Sequence, residues 1–321
     1  MAYESSAIDP EEQRATRAAW LYFVAGLTQA QIGKRLGLNR SRVNRLLAQA
    51  RDQGLVQIRI TGKLAECVEL EESLKQRFGL QEAIVVPTPP DQALVPQVIA
   101  TAAGAALAAR LKDGMSVGVG WGRTLRMSLQ SVPRRPLKRL SVVSLLGGLT
   151  RGAAMNPHET ASHLADLCDA QCYYVAAPAL TDTESTRNVL MAQPMLREVF
   201  ERGESVDLAF LSVGELTTTC TMARVGLISA SDVEELTDAG AVGDICAHWI
   251  DRNGDLVDHA LNSRVVALSP ARLRGIACVI VASGGKAKVK GLLGVLRGKM
   301  AGVLITDELT AKGILAQSVV S

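Results

Sequence analysis

The stretch that decides the fold is TQAQIGKRLGLNRSRVNRLLAQARDQGLVQIRI, residues 28–60. Thr28, followed three residues later by Gln31, matches a helix-capping box, and Gly37 predicts the tight turn of a helix-turn-helix. Asn39 can cap the helix that follows this turn. The stretch contains seven lysines and arginines against a single acid, whereas the whole 321-residue chain has a formal net charge of only +3. A short, strongly basic helical module is therefore joined to a slightly acidic remainder.

The helix after the turn has two chemically different faces. Its apolar positions are predicted to face inward, and they are Val43, Leu46, Leu47 and Ala50. Arginine reads guanine and asparagine reads adenine in the major groove, while further basic side chains hold phosphates. The predicted DNA-contacting set is Thr28, Gln29, Arg40, Ser41, Arg42, Asn44 and Arg45. A solvated charged face is the alternative, but it does not explain the helix-turn-helix punctuation around the charges.

Two further segments complete this predicted module. Residues 11–25 match an amphipathic helix in which Ala18, Leu21, Tyr22 and Ala25 share one face. LVQIRI, residues 55–60, alternates like a short strand and could form a wing. The sequence therefore predicts an N-terminal winged helix-turn-helix domain.

The connector at residues 61–80 reads as a helix of mixed charge. Leu64, Val68, Glu71 and Leu74 approximate a seam that Phe78 extends. One interpretation is a linker helix packed on the next domain. The other is a dimer contact, because helix-turn-helix proteins usually read two half-sites as dimers. Both remain open, since a glutamate in the seam weakens a strict coiled coil.

Residues 81–321 alternate between short apolar runs and helical stretches. The predicted strands are residues 83–87, 116–120, 140–146, 172–177, 207–213, 243–250, 278–283 and 302–306. Several are apolar throughout, as buried parallel strands are. Helical stretches include residues 98–111 and 289–297. This alternation predicts an α/β, doubly wound, Rossmann-like domain, in which ligands bind at the carboxyl ends of strands.

Three loops at predicted strand ends carry groups that could bind a small molecule. Glycines allow close backbone approach, and lysine, arginine and threonine donate hydrogen bonds to anions. The loops contribute Gly120, Gly122, Arg123 and Thr124; Gly284, Gly285 and Lys288; and Asp244, which can accept hydrogen bonds from hydroxyls. Together they suit a phosphorylated or polyhydroxylated ligand.

Other chemistries find little support in the sequence. His158 and His163 are five residues apart and do not share a helix face, so no metal site is predicted. The six cysteines form no C-x-x-C pair and are expected to be buried free thiols. No nucleophile elbow, catalytic residue or cofactor motif is predicted. We find no secretory signal and expect no apolar run of about 18 residues, which predicts a cytoplasmic protein that does not bind membranes.

The chain resembles the SorC family of bacterial transcriptional regulators over nearly its whole length. The resemblance lies in residues 26–58 and in VGVGWGRTL, DLAFLSVG, GAVGDI, VIVASGGKAKVKGLLGVLRG and VLITDELTA. It implies a helix-turn-helix joined to a sugar-binding domain similar to sugar-phosphate isomerase and deaminase folds. It also implies a sugar, sugar-phosphate or polyol effector and a homodimer or homotetramer.

Transferred residue by residue, the resemblance assigns the effector loop to Gly120, Gly122, Arg123 and Thr124, together with Asp244 and Lys288. Ser212 departs from the family, which often has glycine at this position.

We therefore expect a DNA-binding domain at residues 1–60, a linker or oligomerisation helix at 61–80 and an effector domain at 81–321. The predicted function is regulation of transcription by operator binding under control of a small carbohydrate, and not catalysis. One alternative is a sugar-phosphate isomerase or deaminase with an added DNA-binding module, for which Asp244 is the plausible base. Another is an adaptor whose small domain binds protein.

Overall fold

The computed structural model of the chain describes residues 10–52, 55–56, 63–149 and 156–318. The chain divides into two compact units, residues 1–61 and 62–321.

The small unit consists of three helices, α1 Pro10–Phe23, α2 Gln29–Leu36 and α3 Arg40–Asp52. The predicted capping box begins α2. The Thr28 N–H donates to Gln31 Oε1 at 2.8 Å, and the Gln31 N–H donates to Thr28 Oγ1 at 3.4 Å. Gly37 ends α2 in the left-handed conformation with φ of 69°, which glycine adopts without strain. The turn between α2 and α3 is therefore specified by its own residues.

The core of the small unit is built from aliphatic side chains of all three helices. They are Ala15, Ala18, Ala19, Leu21, Ile32, Val43, Leu46, Leu47 and Ala50. All four inward positions predicted for α3 are buried. The face predicted for α1 is partly wrong, because Tyr22 and Ala25 are exposed and α1 ends at Phe23. Most of the predicted wing lies outside the described residues.

The strands of the large unit are β1 Glu82–Val86, β2 Ser116–Val119, β3 Ser141–Gly148, β4 Gln171–Pro178, β5 Leu208–Leu211, β6 Val213–Glu215, β7 Gly243–Ile245, β8 His248–Ile250, β9 Cys278–Ala282 and β10 Val303–Asp307. Seven of them form a parallel sheet in the order β1-β10-β9-β5-β2-β3-β4. β6, β7 and β8 form a small antiparallel sheet.

The helices of the large unit are α4 Lys63–Phe78, α5 Val95–Arg110, α6 Arg123–Ser128, α7 Pro157–Cys168, α8 Glu184–Met191, α9 Pro194–Glu204, α10 Thr221–Arg224, α11 Ala230–Asp238, α12 Ala260–Ser263, α13 Pro270–Leu273, α14 Val289–Arg297 and α15 Glu308–Ser318. They cover both faces of the sheet. Val142 of β3 points into the core formed with α5 and α7, and its neighbour Val143 points into the core formed with α4 and α14. The predicted doubly wound α/β fold is confirmed.

Two predicted strands are divided in the structure. The run at residues 243–250 turns back on itself, because Cys246 and Ala247 adopt left-handed conformations with φ of 49° and 61°. Two such residues make the tight turn that joins β7 to β8. The run at residues 207–213 leaves the parallel sheet after β5, and its end, together with the two residues that follow, pairs with β7 as β6.

The connector helix α4 packs on the large unit. Its buried side chains are Cys67 and Leu74, with Leu70 and Phe78 half-buried, whereas Leu64 and Val68 are 71% and 55% exposed. Glu71 Oε1 accepts the N–H of Val85 in β1 at 2.8 Å. Leu74 and Phe78 of the predicted seam therefore pack on the large unit, whereas Leu64 and Val68 do not.

The expectation that no apolar segment is long enough to span a bilayer is also wrong. Among the described residues, one helical stretch, Gln92–Arg110, is long and apolar enough by length and composition alone. Ile99, Ala103 and Leu107 of this stretch are buried beside the strands. Its apolar character therefore fits a core helix of the large unit.

Candidate functional site

A cavity of about 820 Å³ opens at the carboxyl ends of β2, β5, β9 and β10. The loops that follow these strands converge there, as they do in open parallel sheets. Seven residues predicted from the sequence line the cavity, namely Gly122, Arg123, Thr124, Asp244, Gly284, Gly285 and Lys288. The three loops selected by sequence are thus brought to one place.

Gly120, the remaining predicted residue, does not line the cavity. Its N–H donates to the Phe210 carbonyl oxygen at 2.9 Å, which continues the pairing of β2 with β5. A Cβ atom at this position would lie 2.9 Å from Leu211 Cδ2. Gly120 therefore continues the pairing of β2 with β5 and lies outside the cavity lining, to which the sequence had assigned it.

The loop after β2 presents two donors to the cavity. Gly122 has a φ of 129°, which is accessible to glycine, and it places α6 directly after the strand. Arg123 is exposed and makes no hydrogen bond or ion pair within the part of the chain that is described. Thr124 is buried at the cavity wall. Arg123 is thus a positive charge available to a ligand.

The loop after β9 is held by a buried carboxylate that sequence reasoning missed. The Gly285 N–H donates to Thr310 Oγ1 at 2.7 Å and to Asp307 Oδ1 at 3.2 Å. Asp307 is buried and also accepts from Thr88 Oγ1 at 2.7 Å. The Gly285 amide is therefore occupied and does not serve as an anion donor. The available signal was TDELT, residues 306–310, because this polar run begins in the last two residues of the otherwise apolar strand β10.

Lys288 differs from its expected role as a free charge. Its Nζ donates to the Val213 carbonyl oxygen at 2.6 Å and forms an ion pair with Glu215 Oε2 at 3.3 Å. Both partners belong to β6, so the lysine ties the loop after β9 to the small antiparallel sheet. Lys286, two residues earlier, also lines the cavity and is exposed. Among the described residues, the available cations of the cavity lining are consequently Arg123, Arg224 and Lys286.

Asp244 is a buried acid at the inner wall of the cavity. Its side chain is 6% exposed, and burial raises its pKa from 3.8 to about 7. The positive charge of Lys288 and the N–H of Ala247 oppose this rise, whereas the negative charge of Glu215 adds to it. Gly214 of β6 packs directly on this carboxylate, and a Cβ there would overlap it. Near neutral pH the group can therefore either donate or accept a hydrogen bond.

The rest of the cavity wall is partly apolar. Trp121 is buried and lines the cavity beside Gly122, and Met222 lies on the same wall. An indole ring offers a flat apolar surface that suits the C–H face of a sugar. Ser212, the departure from the family pattern, also lines the cavity and adds a hydroxyl.

The histidines and cysteines lie apart from this chemistry. His158 Nε2 lies 2.9 Å from the Val175 carbonyl oxygen, and burial lowers its pKa, whereas His163 is exposed. Within residues 10–318, excluding the gaps, no group of three or more His, Cys, Asp or Glu is placed to hold a metal ion. The six cysteines are free thiols; Cys172 and Cys278 are only half-buried, and the other four are buried.

The second candidate site is the outer face of α3. Arg40, Ser41, Asn44 and Arg45 are exposed there, as predicted. Arg40 Nε donates to Gln29 Oε1 at 3.2 Å, which links two members of the predicted set. Arg42 is half-buried and forms an ion pair with Glu11 of α1. Arg42 is therefore less exposed than the other predicted residues of this face, because the first helix holds its guanidinium.

Comparison with known proteins gives a family match for each of the two units. The sugar-binding domain family model matches residues 62–316, and a MarR family model matches residues 18–62. The chain is 34% identical over 312 residues to the erythritol catabolism regulatory protein EryD of Brucella abortus, covering 96% of this chain and 98% of the relative. It is 31% identical to the sorbitol operon regulator of Klebsiella pneumoniae, covering 93% and 96%.

Comparison with solved structures also gives a regulator that matches both units of the chain. The full-length sorbitol operon regulator SorC from Klebsiella pneumoniae superposes with a TM-score of 0.73 at 28% identity, covering 95% of this chain and 99% of that one. A helix-turn-helix joined to a sugar-binding domain defines a class of transcriptional regulators. The chain belongs to the SorC family of these regulators.

Proposed function

We propose that operator binding by the small unit is controlled by a carbohydrate, sugar-phosphate or polyol effector bound in the cavity of the large unit. The observation that carries this proposal is the convergence of Arg123, Asp244 and Lys288 on one cavity at the strand ends. The names of the relatives support it, since they refer to erythritol, sorbitol and deoxyribonucleosides. We further propose that residues 1–60 form the DNA-binding domain and that residues 81–321 form the effector-binding domain. Residues 61–80 form the helix that links the two.

The charges suggest how such an effector would lie. At the inner wall, Asp244 and the ion pair of Glu215 with Lys288 present hydrogen-bonding groups with little net positive charge. Hydroxyls suit this end, because a phosphate there would face two carboxylates. Arg123, Arg224 and Lys286 carry available positive charge, so a phosphate, if the effector has one, lies beside them. The apolar C–H face of the effector lies on Trp121.

Control of DNA binding requires that the effector bind the DNA-competent and DNA-incompetent states with different affinity. Two half-sites are the usual way for a single helix-turn-helix to gain selectivity, so we propose a homodimer or homotetramer acting on DNA in the cytoplasm. In the DNA-bound state, Arg40, Ser41, Asn44 and Arg45 lie against the groove, with Thr28 and Gln29 at the start of α2.

We also propose that the protein is not an enzyme, since its relatives are named as regulators. One observation favours a second candidate function. A carboxyl whose pKa is about 7 is suited to general-base catalysis at neutral pH, and Asp244 is such a group. Product analysis after incubation with aldose and ketose phosphates tests this candidate, and turnover that is lost in Asp244→Asn would establish it.

A ligand screen tests the main proposal. Erythritol, sorbitol, deoxyribose and their phosphates are added to the full chain, and the thermal midpoint is measured. A true effector at 100 times its dissociation constant stabilises the protein by about 2.7 kcal/mol. Asp244→Ala should reduce this stabilisation to about half or less at the same ligand concentration, as a tenfold or greater loss of affinity implies. Lys290→Ala changes an exposed lysine of α14 outside the cavity lining and should retain the full stabilisation. A ligand that stabilises both variants equally would place the binding site elsewhere.

A further inference from the structure

The last helix of the large unit, α15, forms part of the cavity wall. Four of its residues line the cavity, namely Leu309, Thr310, Gly313 and Gln317. Thr310 Oγ1 also accepts the Gly285 N–H at 2.7 Å, so the first turn of α15 holds the loop after β9, which lines the cavity as well. A ligand that fills the cavity therefore acts on α15 both directly and through this loop.

Another side of α15 holds α4, the helix that follows the small unit in the sequence. Lys312 of α15 forms an ion pair with Glu66 of α4 at 3.1 Å and a second one with Glu308 of its own helix. Near the other end of α4, Arg77 Nη2 donates to the Ser318 carbonyl oxygen at 2.6 Å. Polar contacts therefore fasten α15 near both ends of α4.

Between these polar contacts the two helices share one apolar core. Ala311 and Ile314 of α15 are fully buried in the cluster that contains Cys67 and Leu74 of α4. Buried side chains in contact do not move independently, because protein interiors are close-packed. A displacement of α15 therefore displaces α4 as well.

The helical repeat explains how α15 serves both neighbours. Successive residues of an α-helix are about 100° apart around its axis. Thr310, which lines the cavity, and Lys312, which holds α4, therefore lie on nearly opposite sides of α15. Coupling between distant sites is carried by rigid elements and packed side chains, and sliding of packed helices is one known form of switching.

We propose that α15 transmits occupancy of the cavity to α4, and that Lys312 and Arg77 are the positioning residues that hold α4 to α15. The transmission rests on the effector control proposed above, and it locates this control in the contacts between these two helices. An exposed ion pair that only stabilises the fold would leave the response to effector unchanged. The two roles are therefore distinguishable by experiment.

Charge reversal at Lys312 tests the transmission. Lys312→Glu places a third acid beside Glu66 and Glu308 without altering the cavity lining, and the repulsion loosens α4 from α15. Fluorescence anisotropy gives the operator dissociation constant with and without erythritol, sorbitol, deoxyribose and their phosphates. We expect the ratio of the two constants to fall by about 2- to 30-fold relative to the wild type. Binding of the same compound without DNA, measured by calorimetry, should be unchanged.

A rescue variant and a matched control accompany this measurement. Glu66→Lys/Lys312→Glu exchanges the two charges and again places one lysine between two glutamates, so it should recover the wild-type ratio. Lys290→Glu makes the same charge change on an exposed lysine of α14 outside the cavity lining and should also keep the wild-type ratio.

The outcomes separate the transmission from the proposed function. If none of these compounds changes the operator affinity of the wild type, the proposed function fails and the transmission falls with it. A wild type that responds, together with an equal response in Lys312→Glu, would overturn the transmission alone. The same holds for a lost response that the charge exchange does not restore or that Lys290→Glu shares, and for a variant that no longer binds the compound.

A second variant covers the case in which Lys312→Glu does not fold. Arg77→Met keeps an unbranched apolar side chain but removes the hydrogen bond to the Ser318 carbonyl oxygen. We expect the same fall in the ratio of operator dissociation constants, and a wild-type ratio in the folded Arg77→Met variant would overturn the transmission.

Discussion

Asp244 concentrates the chemistry of the cavity in one ionisable group. Desolvation disfavours its charged form, while Lys288 and the Ala247 N–H favour it. The structure keeps the carboxylate partly compensated, because Gly214 leaves room for it and the left-handed turn at residues 246–247 aims an amide at it. A group held in this way has a cost in stability that depends on pH, and this cost can be measured.

We expect Asp244 to destabilise the fold increasingly as pH rises from about 4 to 7. The pKa of the folded state is raised to about 7 from 3.8, so the native state retains a proton that the unfolded state has lost. Stability then falls with pH by up to about 1.4 kcal/mol per unit, and the loss is complete above the folded-state pKa. Urea denaturation of wild type and Asp244→Asn between pH 4.5 and about 8 measures the difference, which should grow with pH in favour of the variant.

The comparison with the variant is necessary because His248 acts in the opposite direction. Burial lowers the pKa of His248 from 6.5 to about 4, so its contribution to stability is lost as pH falls through that window. The wild type and Asp244→Asn both contain His248, so its contribution cancels in the difference between their free energies of unfolding. A pH-independent difference between wild type and Asp244→Asn would show that the carboxyl titrates normally.

At the residue scale, sequence could identify groups within one loop but not partnerships between loops. Arg123 and Asp244 follow predicted strands, so their convergence followed from the general behaviour of parallel sheets. The pairing of Lys288 with Val213 and Glu215 joins segments more than 70 residues apart, and no local pattern encodes it. For the same reason the buried Asp307 was overlooked, although it fixes the Gly285 loop.

At the element scale, α3 carries both exposed side chains proposed to contact DNA and a side chain that pairs with α1. Its exposed Asn44 has no role in the packing of the small unit, whereas Arg42 is tied to Glu11 of α1. Asn44→Ala should therefore weaken specific operator binding by about 1–3 kcal/mol if Asn44 pairs with a base, and leave the unfolding midpoint unchanged. Fluorescence anisotropy with specific and scrambled DNA, at one fixed salt concentration, measures the effect.

Glu11→Gln provides the control for Arg42. This change releases the guanidinium without removing it, so DNA affinity should be equal to or greater than that of the wild type. Loss of affinity in Glu11→Gln together with full affinity in Asn44→Ala would argue that the ion pair, and not the exposed face, determines recognition.

Elements whose boundaries are set by local residues were predictable. Thr28 and Gly37 mark the ends of α2, and α14 occupies the predicted residues 289–297. The β7–β8 hairpin was not predictable, since Cys246-Ala247 is not a pair that favours a left-handed turn and tertiary packing imposes it. Which residues of α4 face inward was not predictable, because its partners β1 and α15 lie far apart in the sequence.

At the scale of the whole molecule, the two units have separate cores and separate chemistry. The small unit carries the excess of positive charge, and the large unit carries the cavity. The alternation of strands and helices predicted the layers of the large unit, but not the strand order, which depends on which segments pair across the chain. Regulation requires coupling between the units, and this coupling is a free energy that two titrations can measure.

Titration of the effector found in the ligand screen into a protein–operator complex tests the central claim most directly. For the wild type, saturating effector should change the operator dissociation constant by about 5- to 150-fold, the usual range of allosteric coupling. Asp244→Ala should bind operator like the wild type without effector, yet respond only at effector concentrations at least about tenfold higher, as loss of a hydrogen bond to a charged group implies. Lys290→Ala should respond like the wild type. An operator affinity that is the same with and without saturating effector, or an Asp244→Ala complex that responds at the wild-type concentration, would contradict control of DNA binding through this cavity.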